Sequence, residues 1–521
     1  MDFDLKKDSD KNREYLNLAR ADDLKDNKER FIYRCFEILP GFLSWSTIVL
    51  AFLVSWLIPF VAAIFIIVFD FFWFLRIVYL SFYQFSSYFK MKNNIKTDWI
   101  KRLKELAKKG KNWKEIYHLV ILPFYKEGPE IVRSSLEAIR DSNYPKERII
   151  VVLAAEERAG QLGKETAVLM EKEFGRDFFK FLVTYHPENI SGEIAGKGSN
   201  LAWAVKRSKE LIDQLKITYE KVIVSDFDID TKPFPQYFAC LTFNYLIAKN
   251  PLRSSFQPVP VYHNNVWQAP SFSRVIATSG TFWQMMQQER QEQLVTYSSH
   301  AIPFKVLNEI GYPNTMVSDD SRIFWRAFLF YNGEYKVVPL FYPISMDAVM
   351  TSSLWKTIVN QYKQQRRWAW GSENIPYIIY GFLKNRKIKL REKIRHVLVI
   401  LDGFWSWSTS ALLIFFLGWL PLILGSKIFQ VSLLSYNLPR VTSSLMTIAM
   451  VGMLVSATIS MLILPAPPKG TSIWKRLSMA FQWLLLPVTL IAFGAIPALD
   501  AQTRLMLNKP LGFWPTEKTR K

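Results

Sequence analysis

Residues 221–230 read KVIVSDFDID. A β-branched run, Val222 to Val224, opens into three carboxylates at alternating positions, Asp226, Asp228 and Asp230. Such a run fits a buried strand, and like charges gather at a strand end only where a cation holds them. Mg2+ or Mn2+, itself bound to phosphate oxygens, suits carboxylates of this kind. An Asp-x-Asp triplet in a loop means little alone, so its weight comes from its surroundings. Upstream, YHLVILPF (117–124) and RIIVVLAA (148–155) are short apolar runs of the same type. Amphipathic helical stretches over 128–140, 164–174 and 199–215 alternate with them. This rhythm predicts parallel βαβ units and a doubly wound α/β sheet over residues 115–350. Loops at the carboxyl ends of such strands face one crevice, the usual place for a nucleotide.

Outside this stretch the chain turns apolar. The run FLSWSTIVLAFLVSWLIPFVAAIFIIVFDFFWFL (42–75) is too long for one helix across about 30 Å of hydrocarbon. Pro59 offers a break, which predicts spans near 39–58 and 60–82 within an apolar segment 35–89. Residues 90–114 carry ten Lys or Arg against two acidic residues and mark the cytosolic side. Further apolar spans fall near 403–425, 443–464 and 476–498 within 396–500, where Pro487 and Pro497 predict a broken or re-entrant last segment. Five or six crossings result. Residues 1–34, dense in both charges, read as a solvated cytosolic tail, and 501–521 as a basic one.

The whole chain of 521 residues is 50% hydrophobic and carries 66 Lys+Arg against 45 Asp+Glu, a net +21. That charge favours anionic partners. Much of it borders the apolar segments, so anionic lipid in a bilayer explains it, and no nucleic acid is expected. Two cysteines, Cys35 and Cys240, make no disulfide framework. The oligomeric state is not legible.

Three more motifs carry chemistry. In GKGSNLAWAV (196–205) a glycine-flanked lysine opens a helix, where an ammonium and free backbone N–H groups suit a diphosphate. In VSDDSRIFWRAF (317–328) paired Asp319 and Asp320 precede an amphipathic helix, either as capping acids or with one of them as a base. In QYKQQRRWAWG (361–371) arginines, tryptophans and glutamines crowd together within an interfacial segment 351–395. The cluster fits an anionic leaving group beside a sugar, or a helix on an anionic membrane surface.

In this order the motifs resemble membrane-integrated, inverting family-2 glycosyltransferases, the group of the cellulose, hyaluronan, chitin and mannan synthases. The resemblance covers about residues 115–375 and the flanking apolar segments. It implies a GT-A-like mixed sheet inserted between an N-terminal transmembrane pair and three or four C-terminal helices. It also implies a UDP- or GDP-sugar donor, Mg2+ or Mn2+, and a growing glycan or a lipid as acceptor. Tyr125 and Glu127 of LPFYKE would then contact the nucleotide base. Glu156 of AAEER would stand where the family has an aspartate, unless Glu157 is used. Lys197 would hold the diphosphate, Asp226 would contact the nucleoside and Asp228 would bind the metal. Asp320, beside Asp319, would be the catalytic base. Gln364, Arg367 and Trp368 match the Q-x-x-R-W signature, with the arginine on the diphosphate and Gln364 and Trp368 at the acceptor. YSSHAIPFKVLNEIGY (297–312) would bring Ser298 and His300 to the acceptor hydroxyl. FWPTEK (513–518) is similar to the F-x-V-T-x-K gating loop of cellulose synthases, with Pro515 in place of valine. The expected function is a processive polysaccharide synthase of the plasma membrane with a cytosolic catalytic domain. The alternatives are single transfer to a lipid and a non-catalytic sugar-binding or transport protein.

Overall fold

The computed structural model describes residues 14–516. Its elements run α1 (Asn27–Leu57), α2 (Pro59–Lys96), α3 (Trp99–Ala107), β1 (Tyr117–Phe124), α4 (Pro129–Arg140), β2 (Ile149–Glu156), α5 (Gly160–Phe174), β3 (Lys180–His186), α6 (Lys197–Gln214) and β4 (Val222–Asp226). Then come β5 (Lys232–Pro233), α7 (Tyr237–Ile247), β6 (Ser254–Val261), α8 (Ser271–Glu289), β7 (Ala301–Pro303), α9 (Phe304–Ile310), α10 (Asp319–Phe330) and β8 (Lys336–Ser345). The chain closes with α11 (Leu354–Ala369), α12 (Asn374–Lys384), α13 (Leu390–Phe415), α14 (Leu420–Leu424), α15 (Lys427–Gln430), α16 (Leu433–Ile463), α17 (Ile473–Phe481), α18 (Leu486–Leu490) and α19 (Ile496–Met506).

One mixed sheet of eight strands, in the order β3-β2-β1-β4-β7-β6-β8-β5, forms the centre. The strand period of two sends alternate side chains to opposite faces. Val120, Leu122, Phe124, Val151 and Leu153 therefore enter one core with α4, α5 and α7. Leu119, Ile121, Ile150 and Val152 enter the other with α6, α9, α10 and α12. Burial on both faces explains why these strands read as unbroken apolar runs. The expected parallel pattern holds for β3-β2-β1-β4. It then reverses: β7 pairs antiparallel with β4 and β6, and β5 antiparallel with β8. β7 is three residues long, so it leaves little apolar signal of its own.

Among the described residues, five helical stretches are long and apolar enough to cross a membrane: Asn27–Leu57, Pro59–Lys96, Leu390–Phe415, Leu433–Ile463 and Ile473–Met506. Large apolar side chains stand exposed along them, Phe82 and Leu433 among them, as a lipid-facing surface requires. A single residue, Ile58, separates α1 from α2, and Pro59 opens the second helix, where its missing N–H is harmless. The last stretch is broken, as its prolines predict. A 3-10 turn at Gln482–Leu485 and a π turn at Ile491–Ala495 flank α18, and Pro487 and Pro497 sit in the first turns of α18 and α19.

The N-terminal segment differs from the solvated tail expected there. Helix α1 begins at Asn27, where Asp26 accepts a hydrogen bond from Glu29 N at 2.8 Å. Before it, Leu16, Leu18 and Ala21 are buried. The carbonyls of Leu16 and Leu18 accept from Tyr377 Oη (3.1 Å) and Arg322 Nη1 (2.9 Å). Charge density hid this apolar anchor, whose hydrogen-bond partners lie 304 and 361 residues along the chain.

Candidate active site

The site forms where strands end. Asp226 is the last residue of β4, Lys197 the first of α6, and Asp319 and Asp320 the first two of α10; Ser298–His300 lead into β7. Folding brings these four segments together around one ammonium. Lys197 Nζ lies 2.8 Å from Asp228 Oδ1, 2.9 Å from Asp320 Oδ1 and 3.5 Å from Asp226 Oδ1. Ser298 Oγ donates to Asp228 Oδ2 at 2.6 Å. Approach this close needs a residue without a side chain: a Cβ on Gly198 would stand 2.8 Å from the Pro313 carbonyl oxygen and 3.3 Å from Asp319 Cβ.

The charges do not balance. Burial works against the Lys197 ammonium, but Asp226, Asp228, Asp320 and Asp319 outweigh it and hold its pKa well above the usual lysine range. Burial, aided by Asp320 and Asp228 and only partly offset by Lys197 and Tyr312, raises Asp226 to about 7. Burial and the neighbouring Asp320 raise Asp319 well above the carboxylate range. Four carboxylates facing one ammonium either take up protons or attract a further cation. The donor atoms fit a divalent ion. Asp226, His300 and Asp320 each offer a ligand atom, and these atoms lie within 4.8 Å of one another. Asp226 Oδ1 and His300 Nε2 are buried and make no hydrogen bond. Asp228, the expected metal ligand, lies outside that trio; Lys197 and Ser298 hold it.

The third carboxylate of the opening motif turns elsewhere. Asp230 is fully buried, and its Oδ2 accepts from Asp347 N at 2.7 Å. It pins the segment after β8 to the β4 loop, a structural duty that its spacing does not betray.

The expected base-contacting residues gather at the ends of β1 and β2. Glu127 Oε2 accepts from Tyr125 N at 2.7 Å. The Arg158 guanidinium lies 4.5 Å from the Tyr125 ring centre and pairs with Glu156 through both Nε and Nη2. Glu156 is buried, whereas Glu157 is exposed.

On α11 the two adjacent arginines part ways. Arg366 Nη1 bonds Asp500 Oδ2 at 2.9 Å, tying this helix to α19. Arg367 stays near the carboxylates, close enough to favour the ionised form of Asp319. Its guanidinium lies 5.0 Å from the ring centre of Phe513. That same ring fills the space where a Gly196 Cβ would sit, 2.5 Å from Phe513 Cγ. One aromatic ring thus bridges Arg367 and the residue before Lys197. Trp514 follows it onto α11, with Lys363 Nζ 3.7 Å from its ring centre. Glu517 and Lys518 of FWPTEK lie outside the described residues. Gln364 is buried and accepts from Gln361 Nε2 at 3.2 Å, and Trp368 is half-buried.

Several residues were missed in the sequence. Tyr312 Oη donates to Asp226 Oδ2 at 2.6 Å and lies 3.4 Å from Asp319 Oδ2. Glu373 Oε1 accepts from Ser318 N (2.9 Å) and Ser318 Oγ (2.6 Å), and its Oε2 from Trp370 Nε1 (2.8 Å). Asn374 joins Ser321 Oγ (2.9 Å) to Arg322 Nε (2.5 Å). These residues hold the first turn of α10. The only available signal was a carboxylate and an amide just past the Q-x-x-R-W motif.

No protein-family model matches the chain, and no curated protein does. Solved structures it is similar to include glycosyltransferases. One is a mannosyltransferase, PcManGT from Pyrobaculum calidifontis, in complex with GDP-Man and Mn2+: 16% identity, TM-score 0.40, 82% of this chain and 99% of that one covered. Another is S. aureus TarS 1-349 in complex with UDP-GlcNAc: 11% identity, TM-score 0.36, 72% and 91% covered.

Proposed function

We propose that the protein is a membrane-integrated, metal-dependent glycosyltransferase that moves a sugar from a UDP- or GDP-sugar to an acceptor hydroxyl with inversion. The observation that carries this reading is the Lys197 ammonium, within 3.5 Å of carboxylates from two separate segments, Asp226 and Asp228 at the end of β4 and Asp320 at the start of α10. The order of motifs along the chain supports it, as do the five apolar helical stretches.

Lys197 and Arg367 bind the donor diphosphate, the arginine as a fixed fork and the lysine as a point charge. Asp226 is the carboxylate of this pair that would hold a divalent ion, which would supply further positive charge to the leaving group, while Asp228 stays on Lys197 and Ser298. Tyr125, Glu127 and Glu156 receive the nucleoside. Asp320 takes the proton of the acceptor hydroxyl, whose oxygen attacks the anomeric carbon from the face opposite the diphosphate. One C–O bond forms as the bond to the diphosphate oxygen breaks, and the diphosphate leaves with the electron pair. Gln364, Trp368 and Ser298 hold the acceptor, and the tail around Phe513 and Trp514 is the gating element over the donor. The GT-A domain faces the cytosol of the plasma membrane, and its product is a polysaccharide extended processively and passed through the adjacent helices.

Purified full-length protein offered a panel of UDP- and GDP-sugars with Mn2+ or Mg2+ tests this. Expected are nucleotide release from one donor, a ladder of product sizes, and an anomeric proton signal of inverted configuration. A single glycolipid product refutes the polymer, a retained anomer refutes the displacement, and no turnover with any donor refutes the class.

A further inference from the structure

We propose that His300, expected at the acceptor, is instead a metal ligand that makes the site prefer a first-row transition ion such as Mn2+ over Mg2+. Four observations lead there. The His300 side chain is fully buried, and its Nδ1 lies 3.1 Å from the Tyr297 carbonyl oxygen, which can only accept. That bond fixes the proton on Nδ1 and leaves the Nε2 lone pair facing a buried environment with no donor to meet it. The ring offers its ligand atom within 4.8 Å of those of Asp226 and Asp320. Asp226 Oδ1, of the same group, also makes no hydrogen bond, its nearest cation being Lys197 Nζ at 3.5 Å.

The backbone is built to present this ring. Ser299 has φ +61°, a left-handed conformation that non-glycine residues seldom adopt. It is held by hydroxyl contact with Thr231 Oγ1 at 2.8 Å and by Asp228 N at 3.4 Å. The His300 carbonyl accepts from Asp226 N at 3.0 Å, so the imidazole and the β4 carboxylate move as one unit. A backbone carbonyl on the far nitrogen is the usual support of a metal-bound histidine. Mg2+ takes oxygen ligands and gives up its waters reluctantly, whereas imidazole suits transition ions. One nitrogen among the carboxylates therefore separates the two ions. Asp226 is the partner ligand, and Asp320, the assigned base, bounds the third side.

The inference rests on the reading of this cluster as a metal-assisted donor site, but its test needs no turnover. Mn2+ alone is titrated into purified full-length protein while the EPR signal of the free ion is followed, and Mg2+ is measured by competition. Wild type is expected to bind Mn2+ at least about tenfold more tightly than Mg2+. His300→Ala is expected to weaken Mn2+ about ten- to a hundredfold and to leave Mg2+ within about twofold. His300→Gln, which keeps a polar group of similar length, serves if the alanine variant does not fold, with the same expected collapse of selectivity. Equal affinity for the two ions, or Mn2+ binding unchanged in a folded His300 variant, overturns the inference. A His300-dependent Mn2+ preference without transfer from any donor upholds it and sinks the glycosyltransferase reading. Sugar transfer with no His300 effect on Mn2+ affinity does the reverse.

Discussion

The first turn of α10 has two sides that differ in kind. Toward the crevice, Asp319 and Asp320 join Asp226 and Asp228 around the single Lys197 ammonium, with the buried His300 Nε2 left without a hydrogen bond. Behind it, Arg322 is fully buried, yet it donates from Nε to Asn374, from Nη1 to the Leu18 carbonyl and from Nη2 to the Glu373 carbonyl, and stacks 3.8 Å from the Tyr377 ring centre. One side is short of positive charge; the other is satisfied by neutral acceptors. A buried group left unpaired is costly, and a fully bonded network rigidifies. The crevice side is thus suited to receive charged ligands, and the rear side to hold the receiving groups still.

Breaking the crevice side should cost function far more than fold. Lys197→Met is expected to lower turnover about a hundred- to a thousandfold, since it removes a fixed cation from the leaving group. Its melting temperature should change little, because the ammonium holds together carboxylates that repel when it is gone but take up protons more readily. Turnover and a thermal melt on one preparation check both halves.

Breaking the rear side should do the opposite. Glu373→Gln turns one accepting oxygen into a donor facing Ser318 or the Trp370 indole, at about 1–3 kcal/mol of stability. Turnover should fall about tenfold with donor affinity unchanged, because Ser318 directly precedes the catalytic pair. A fall in donor affinity of the same size would place Glu373 in donor binding instead.

The smallest effect lies away from both sides. His118, in β1, is fully buried with Nε2 2.8 Å from Thr242 Oγ1, and burial lowers its pKa to about 3. The unfolded chain takes up a proton near pH 6.5, so stability contributed above that pH drains away as pH falls toward 3. The slope is at most about 1.4 kcal/mol per pH unit. His118→Gln should flatten the melting temperature between pH 6.5 and 5, as differential scanning measures.

The residues legible in the sequence were those with a local signature. The carboxylates stand at the end of a β-branched run, Lys197 between glycines, and Asp319 and Asp320 at a helix start. Pro59, Pro487 and Pro497 marked helix breaks because proline acts on its own backbone. What escaped was set by partners far along the chain. Tyr312 is an ordinary core aromatic until Asp226 is beside it. Glu373 gains meaning only when Ser318 arrives. Asp230 was grouped with its neighbours by spacing, yet its partner is Asp347. The antiparallel β7 is too short to carry a pattern at all.

Asp320→Asn puts the central claim to its most direct test. The substitution keeps the size and hydrogen-bonding reach of the side chain and removes its basicity. Transfer should fall about a hundred- to ten-thousandfold, while affinity for the donor nucleotide in the presence of Mn2+ stays within about threefold of wild type. Turnover near the wild-type rate in that variant would contradict the account.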